Sequence, residues 1–85
     1  MRTAVKKTIG IEYFAILREQ SGLSEEQIET SAETPAELYE ALKKQHDFHL
    51  ETGQLRVSVN HQFCNWDQPL KSGDHVVFIP PVAGG

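Results

Sequence analysis

At 85 residues the chain has room for one domain and a single small core, which has to gain its stability without a disulfide. Its formal charge of -4 and pI of about 5.5 argue against a sequence-independent nucleic-acid binder, since Lys6-Lys7 and Lys43-Lys44 are isolated, solvated pairs and form no basic stripe. The lone Cys64 suits a reducing compartment, no apolar run approaches the roughly 18 residues of a membrane span, and the expected location is the cytoplasm.

Residues 1–6 read as a loose leader. Thr8 to Phe14 then alternates, with Ile9, Ile11 and Tyr13 on one face and Thr8, Gly10, Glu12 and Phe14 on the other. Phe14 is the odd member, an aromatic on the polar face. Ala15 to Gln20 reads as a short helical turn closed by Ser21-Gly22, and Gln27 to Thr30 as a second strand. Thr34-Pro35-Ala36-Glu37 supplies an N-cap, a proline at the first helical position and a glutamate at the third. This capping box predicts a helix over 35–46, with Leu38, Ala41, Leu42 and Gln45 along its buried side. Lys43-Lys44 lie near its C-terminal end, where the helix dipole favours cations.

A loop with His46, His49 and Gly53 follows. Leu55 to Val59 alternates as a strand, Asn60-His61 suits a two-residue turn with positive φ, and Gln62-Phe63-Cys64 returns. Asp67 to Leu70 and Lys71 to Asp74 are turn chemistry, and His75 to Ile79 is the last strand. In that strand Val76 and Phe78 can face the helix, which leaves Val77 and Ile79 on the opposite face. A strand apolar on both sides is normally central and covered twice. With one substantial helix available, Phe14, Phe63 and Ile79 are expected to form an apolar patch for a partner.

Side-chain chemistry is sparse. His46-Asp47-Phe48-His49 lacks further ligands at zinc spacing and reads as a solvent loop, and His61 and His75 have no partner signature. Cys64 has no neighbouring base or helix N-terminus to activate it and reads as a half-buried strand residue. Arg18-Glu19 and Asp74 read as surface charges. No nucleophile, base and oxyanion stabiliser assemble, so the isolated chain is expected to catalyse nothing and to bind no cofactor or metal of its own.

The C-terminus is different. Pro80-Pro81 lacks two backbone donors and fixes φ, so the sheet ends there and the chain leaves it stiff and extended. The six residues from Pro80 to Gly85 span about 20 Å when extended. Gly84 and Gly85 carry no side chain, so a terminal carboxylate on this flexible thread fits a channel too narrow for a bulkier end.

The joined ending Leu70-Lys71-Ser72-Gly73-Asp74-His75-Val76-Val77-Phe78-Ile79-Pro80-Pro81-Val82-Ala83-Gly84-Gly85 resembles that of the small, MoaD-type subunits of molybdopterin synthase. Tyr13-Phe14-Ala15-Ile16-Leu17-Arg18-Glu19 resembles their opening strand and turn, and Val59-Asn60 their middle hairpin. The likeness runs from about Thr8 to the end. It implies an α+β, ubiquitin-like β-grasp fold, a mixed sheet packed on one main helix. It also implies a sulfur carrier. An E1-like enzyme would use ATP to adenylate the Gly85 carboxylate, and a sulfur donor would convert the acyl-adenylate to a thiocarboxylate. Sulfur would then pass to cyclic pyranopterin monophosphate on the synthase large subunit, in an assembly of two small and two large subunits. By the same resemblance Phe14, Phe63, Ile79, Pro80, Pro81, Val82, Ala83 and Gly84 would contact partners, with Arg18 at the rim. Carriers of the same fold for thiamine or cysteine biosynthesis, ubiquitin-like protein modifiers and inert interaction modules remain alternatives.

Overall fold

Ile9, Ile11 and Tyr13 are at most 1% exposed, so the period-two pattern of the first segment is spent on burying one face. The computed structural model describes residues 6–81, leaving most of the expected leader outside it. Its elements are β1 (Lys7–Tyr13), α1 (Ile16–Ser21), β2 (Glu25–Thr30), α2 (Pro35–His46), a 3-10 turn (Thr52–Gln54), β3 (Arg56–Val59), β4 (Gln62–Cys64) and β5 (His75–Ile79). The five strands form one mixed sheet in the order β2-β1-β5-β3-β4. β5 runs parallel to β1 and antiparallel to β3, while β1–β2 and β3–β4 are antiparallel hairpin-like pairs. This is the β-grasp arrangement that the family resemblance implies. Among the described residues, no helix is long and apolar enough to cross a membrane.

Several boundaries move. β1 stops at Tyr13 because Ala15 takes φ 52° and turns the chain, which leaves Phe14 outside the strand. α1 starts one residue later than the sequence suggests and ends at Gly22, whose φ of 76° closes it in the left-handed conformation. β2 is longer than expected, and Lys7, expected to be solvated, donates from Nζ to the Ala32 carbonyl.

α2 matches 35–46. The Thr34 hydroxyl accepts from Glu37 N–H at 3.3 Å, but the Glu37 carboxylate accepts from Glu33 N–H instead of Thr34. The reciprocal half of the expected capping box therefore closes one residue early. The buried stripe also differs. Pro35, Leu38, Tyr39 and Leu42 are buried, whereas Ala41 and Gln45 are exposed. The helix is rotated so that Tyr39, the larger apolar body, goes inside. Its hydroxyl donates to the Leu50 carbonyl at 2.7 Å, which satisfies the polar end.

Core packing is aromatic around this residue. Tyr39 meets Phe78 edge-on with centroids 5.2 Å apart and stacks on Phe48 at 5.8 Å. Trp66 stacks on Phe78 at 6.0 Å and meets Tyr39 edge-on at 6.2 Å. Phe48 is only 3% exposed and joins the core, whereas Asp47 and His49 on either side of it are exposed, as a solvent loop requires. His46 is not a loop residue. It ends α2, and its Nε2 lies 2.8 Å from Glu26 Oε2. The Tyr13 hydroxyl donates to the same carboxylate oxygen at 2.5 Å, tying the edge strand β2 to the helix end.

Burial and the Glu26 carboxylate push the Tyr13 phenol well above its ordinary value, and burial with Glu51 and Glu40 nearby pushes Tyr39 up to about 12. An unfolded chain ionises its tyrosines near pH 10. The native state holds these two protonated, so their contribution to stability is complete below that pH. It is lost as pH rises from about 10 through the folded value of about 12 for Tyr39. Urea-unfolding midpoints should accordingly fall above about pH 10, with tyrosinate absorbance rising together with unfolding.

Candidate functional site

The strand registers place side chains across the open face of the sheet, away from α2. One row runs Phe63, Ser58, Val77, Glu12, Glu25 from β4 to β2. The next pairs Arg56 with Ile79. Val76 and Phe78 face the core at 0% exposure, as the alternation requires. Val77 is 7% exposed even without a helix on its side, because Ser58 and Glu12 flank it in register.

The hairpin between β3 and β4 fixes β5 lengthwise. Asn60 and His61 both adopt positive φ, 53° and 72°, as their sequence suggests. Asn60 N–H then donates to the His75 carbonyl at 2.8 Å, and His75 N–H donates back to Asn60 Oδ1 at 2.9 Å. Asn60 Nδ2 donates to Asp74 Oδ1, while the other Asp74 oxygen accepts from Lys71 N–H. Asp74 is thus a turn-locking carboxylate and not a loose surface charge. His75 Nε2 also lies 3.1 Å from Glu12 Oε1, so this histidine braces β5 against β1.

Where β5 ends, Phe63, Ile79, Pro80 and Pro81 line one groove together with Leu55 and Arg56. Pro80 is buried and Pro81 exposed, so the chain leaves the body one residue later than the diproline suggests. Phe63 is 64% exposed, a large apolar side chain with no folding reason to be there. Phe14, beyond the end of β1, is 36% exposed and does not line the groove. Arg18 is exposed on α1 and also lies outside it. Val82, Ala83, Gly84 and Gly85 lie outside the described residues.

Arg56 is the residue that sequence reasoning missed. Its guanidinium carbon sits 5.7 Å from the Phe63 ring centroid. The signal was available, because Arg56 and Phe63 follow from a hairpin centred on Asn60-His61, but it needed the register to be known. Cys64 is half-buried beside the core, and burial raises its thiol above the ordinary value, which leaves little nucleophilic thiolate near neutral pH. Among the described residues, no group of three or more His, Cys, Asp or Glu side chains is placed to hold a metal ion.

Comparison with known proteins bears on the fold and the family. Residues 11–85 match the model of the ThiS family. The chain is 35% identical over 80 residues to the molybdopterin synthase sulfur carrier subunit of Escherichia coli (strain K12), covering 91% of this chain and 99% of the relative. A solved structure of a putative molybdopterin converting factor, subunit 1, from Pyrococcus furiosus superposes with a TM-score of 0.74 at 31% identity, covering 89% of this chain and 99% of that one. A protein–protein complex of subunits 1 and 2 of molybdopterin-converting factor from Helicobacter pylori 26695 includes a chain that matches with a TM-score of 0.62 at 25% identity. That match covers 92% of this chain and 99% of the other.

If Phe63 is a surface residue in energetic terms, Phe63→Ser should cost no more than about 1 kcal/mol, chiefly the exposed cation–π contact. Phe78→Ala, in the aromatic core of the same sheet, should cost about 3–5 kcal/mol. Urea denaturation of both variants checks the contrast. A Phe63→Ser chain weakened as much as Phe78→Ala would make Phe63 part of the core and remove the patch.

Proposed function

This chain belongs to the ThiS family, and we propose that it is the sulfur carrier subunit of a molybdopterin synthase, working through the carboxylate of Gly85. The observation that carries the reading is the groove at the end of β5. Phe63, Ile79, Pro80 and Pro81 converge where the chain leaves its central strand, and the four residues beyond them end in Gly84-Gly85. Similarity along 91% of the chain to a protein named as such a carrier supports the same assignment.

The chemistry falls to the terminus. An E1-like activating enzyme directs the Gly85 carboxylate oxygen onto the α-phosphorus of ATP, and pyrophosphate leaves. In the resulting acyl-adenylate, AMP has replaced a poor leaving group. Hydrosulfide released by a sulfur donor attacks the Gly85 carbonyl carbon, AMP leaves with the bonding pair, and a thiocarboxylate remains. This sulfur is ionised near neutral pH and needs no general base on the carrier. On the large subunit the thiocarboxylate sulfur replaces an oxygen at a carbon of cyclic pyranopterin monophosphate, that oxygen leaving as phosphate or water. Hydrolysis of the acyl–sulfur bond then releases the Gly85 carboxylate and leaves the sulfur on the pterin. Two such transfers complete the dithiolene. Alignment of sulfur and acceptor by the partner supplies the proximity contribution.

The body of the chain acts as the handle. Pro80 is buried, so the tail starts from a fixed point. Phe63 and Ile79 flank that point and offer apolar area to the large subunit, with Phe14 adding to it; Val82, Ala83 and Gly84 enter its channel. Arg18 contributes at the rim. In this reading the carrier works in the cytoplasm, where ATP is supplied, as one of two small subunits beside two large ones.

Reconstitution tests the assignment. The thiocarboxylated chain, mixed with the large subunit and cyclic pyranopterin monophosphate, should yield the dithiolene product. Chains left uncharged or lacking Gly85 should yield none. Transfer of sulfur to a thiamine or cysteine precursor, or isopeptide linkage of Gly85 to protein lysines, with the pyranopterin left unconverted, would contradict it.

A further inference from the structure

The groove at the root of the tail contains one charged side chain. Of its lining residues only Arg56 is ionisable under ordinary conditions, and it is also the one charged residue of the neighbouring hollow beside Trp66. Arg56 and Ile79 are partners in the β3–β5 register, and the Arg56 guanidinium lies against the exposed Phe63 ring. The cation is therefore set inside the apolar patch and not at its margin. Among the described residues the ion pairs are Lys43–Glu51, His46–Glu26 and His75–Glu12, so no carboxylate pairs with Arg56. This is notable in a chain of net charge -4. The acids of the open face, Glu12, Glu25 and Glu29, lie on β1 and β2, across β5 from Arg56.

Burial decides what such an arrangement does. A protein that covers Phe63 and Ile79 also strips water from the guanidinium between them. A desolvated cation is costly unless a carboxylate replaces its hydration with charge-assisted hydrogen bonds. The ring face beneath compensates only in part. A partner surface without an acid is thereby penalised, and one with an acid in the right place gains both charge and orientation.

We propose that Arg56 is the specificity contact of the tail-root interface, and that the protein receiving the tail presents an Asp or Glu carboxylate, within an apolar surface, to its guanidinium. This rests on the reading above that the groove docks the large subunit, and it adds the chemical identity of the recognised group. The Arg56 guanidinium, 5.7 Å from the Phe63 ring centroid, offers a planar fork for a bidentate pair, which lysine lacks, so lysine is an incomplete substitute.

The test is a calorimetric titration of the large subunit with the full chain and its Arg56→Lys, Arg56→Met and Arg56→Glu variants, at low and high salt. Met keeps the length and apolar cover of the stem but removes the charge. Binding by the wild type should weaken with salt. Arg56→Met should bind about tenfold more weakly at low salt with less salt dependence, Arg56→Glu about 100-fold more weakly, and Arg56→Lys between wild type and Met. Reversing one acidic residue of the large subunit should restore binding to Arg56→Glu. Wild-type affinity in Arg56→Glu overturns the proposal alone. So does an equal loss in Met and Glu variants with salt dependence unchanged, which would reduce Arg56 to apolar cover. A change of oligomeric state in the unmixed Arg56→Glu chain, placing the carboxylate on a second copy, overturns it too. Failure of the wild type to bind the large subunit overturns the underlying reading and this proposal with it.

Discussion

Strand β5 is held from both sides, parallel to β1 and antiparallel to β3, and everything else in the structure is arranged around that clamp. Two ladders fix its distance from its neighbours, and the Asn60–His75 pair of hydrogen bonds fixes it lengthwise. A slip of one residue would exchange the two faces of the strand. Phe78 would leave the aromatic core, and Val77 and Ile79 would enter it. The same register therefore decides both stability and the place where the chain emerges at Pro80.

The division of labour follows from this constraint. On the core side, Tyr39, Phe48, Trp66 and Phe78 pack ring against ring and give a small domain a firm interior. On the open side the sheet keeps Phe63 uncovered, which is costly in solution and useful only when something docks. The titratable groups inside are set for structure. Tyr13 and Tyr39 are held protonated, and the Cys64 thiol is raised by burial. In the proposed reading the reactive group is the Gly85 carboxylate, and the folded part governs how it is presented.

Much of this was legible because it is local. The Thr34-Pro35 start of α2, the Asn60-His61 turn and the two-sided apolar pattern of His75 to Ile79 depend on neighbours within a few residues. Tertiary choices were not legible. Helical spacing allowed either Ala41 or Tyr39 on the buried side, and the larger apolar body won once Leu50 offered its hydroxyl a carbonyl. His46 looked like a solvent residue because its partner, Glu26, lies 20 positions away on an edge strand. Arg56 was overlooked for the same reason, since only the β3–β4 register brings it over Phe63. At the site, the tail and its apolar neighbours could be read, but the cation among them could not.

The central claim is that Gly85, and no side chain of the folded body, receives the sulfur. Intact-protein mass spectrometry after incubation with the activating enzyme, ATP and a sulfur donor tests it most directly, with fragmentation to locate the change. The account predicts exchange of one oxygen for one sulfur, confined to Gly85. An unchanged mass under conditions that charge a known carrier, or a sulfur atom added at Cys64 in place of that exchange, would contradict it.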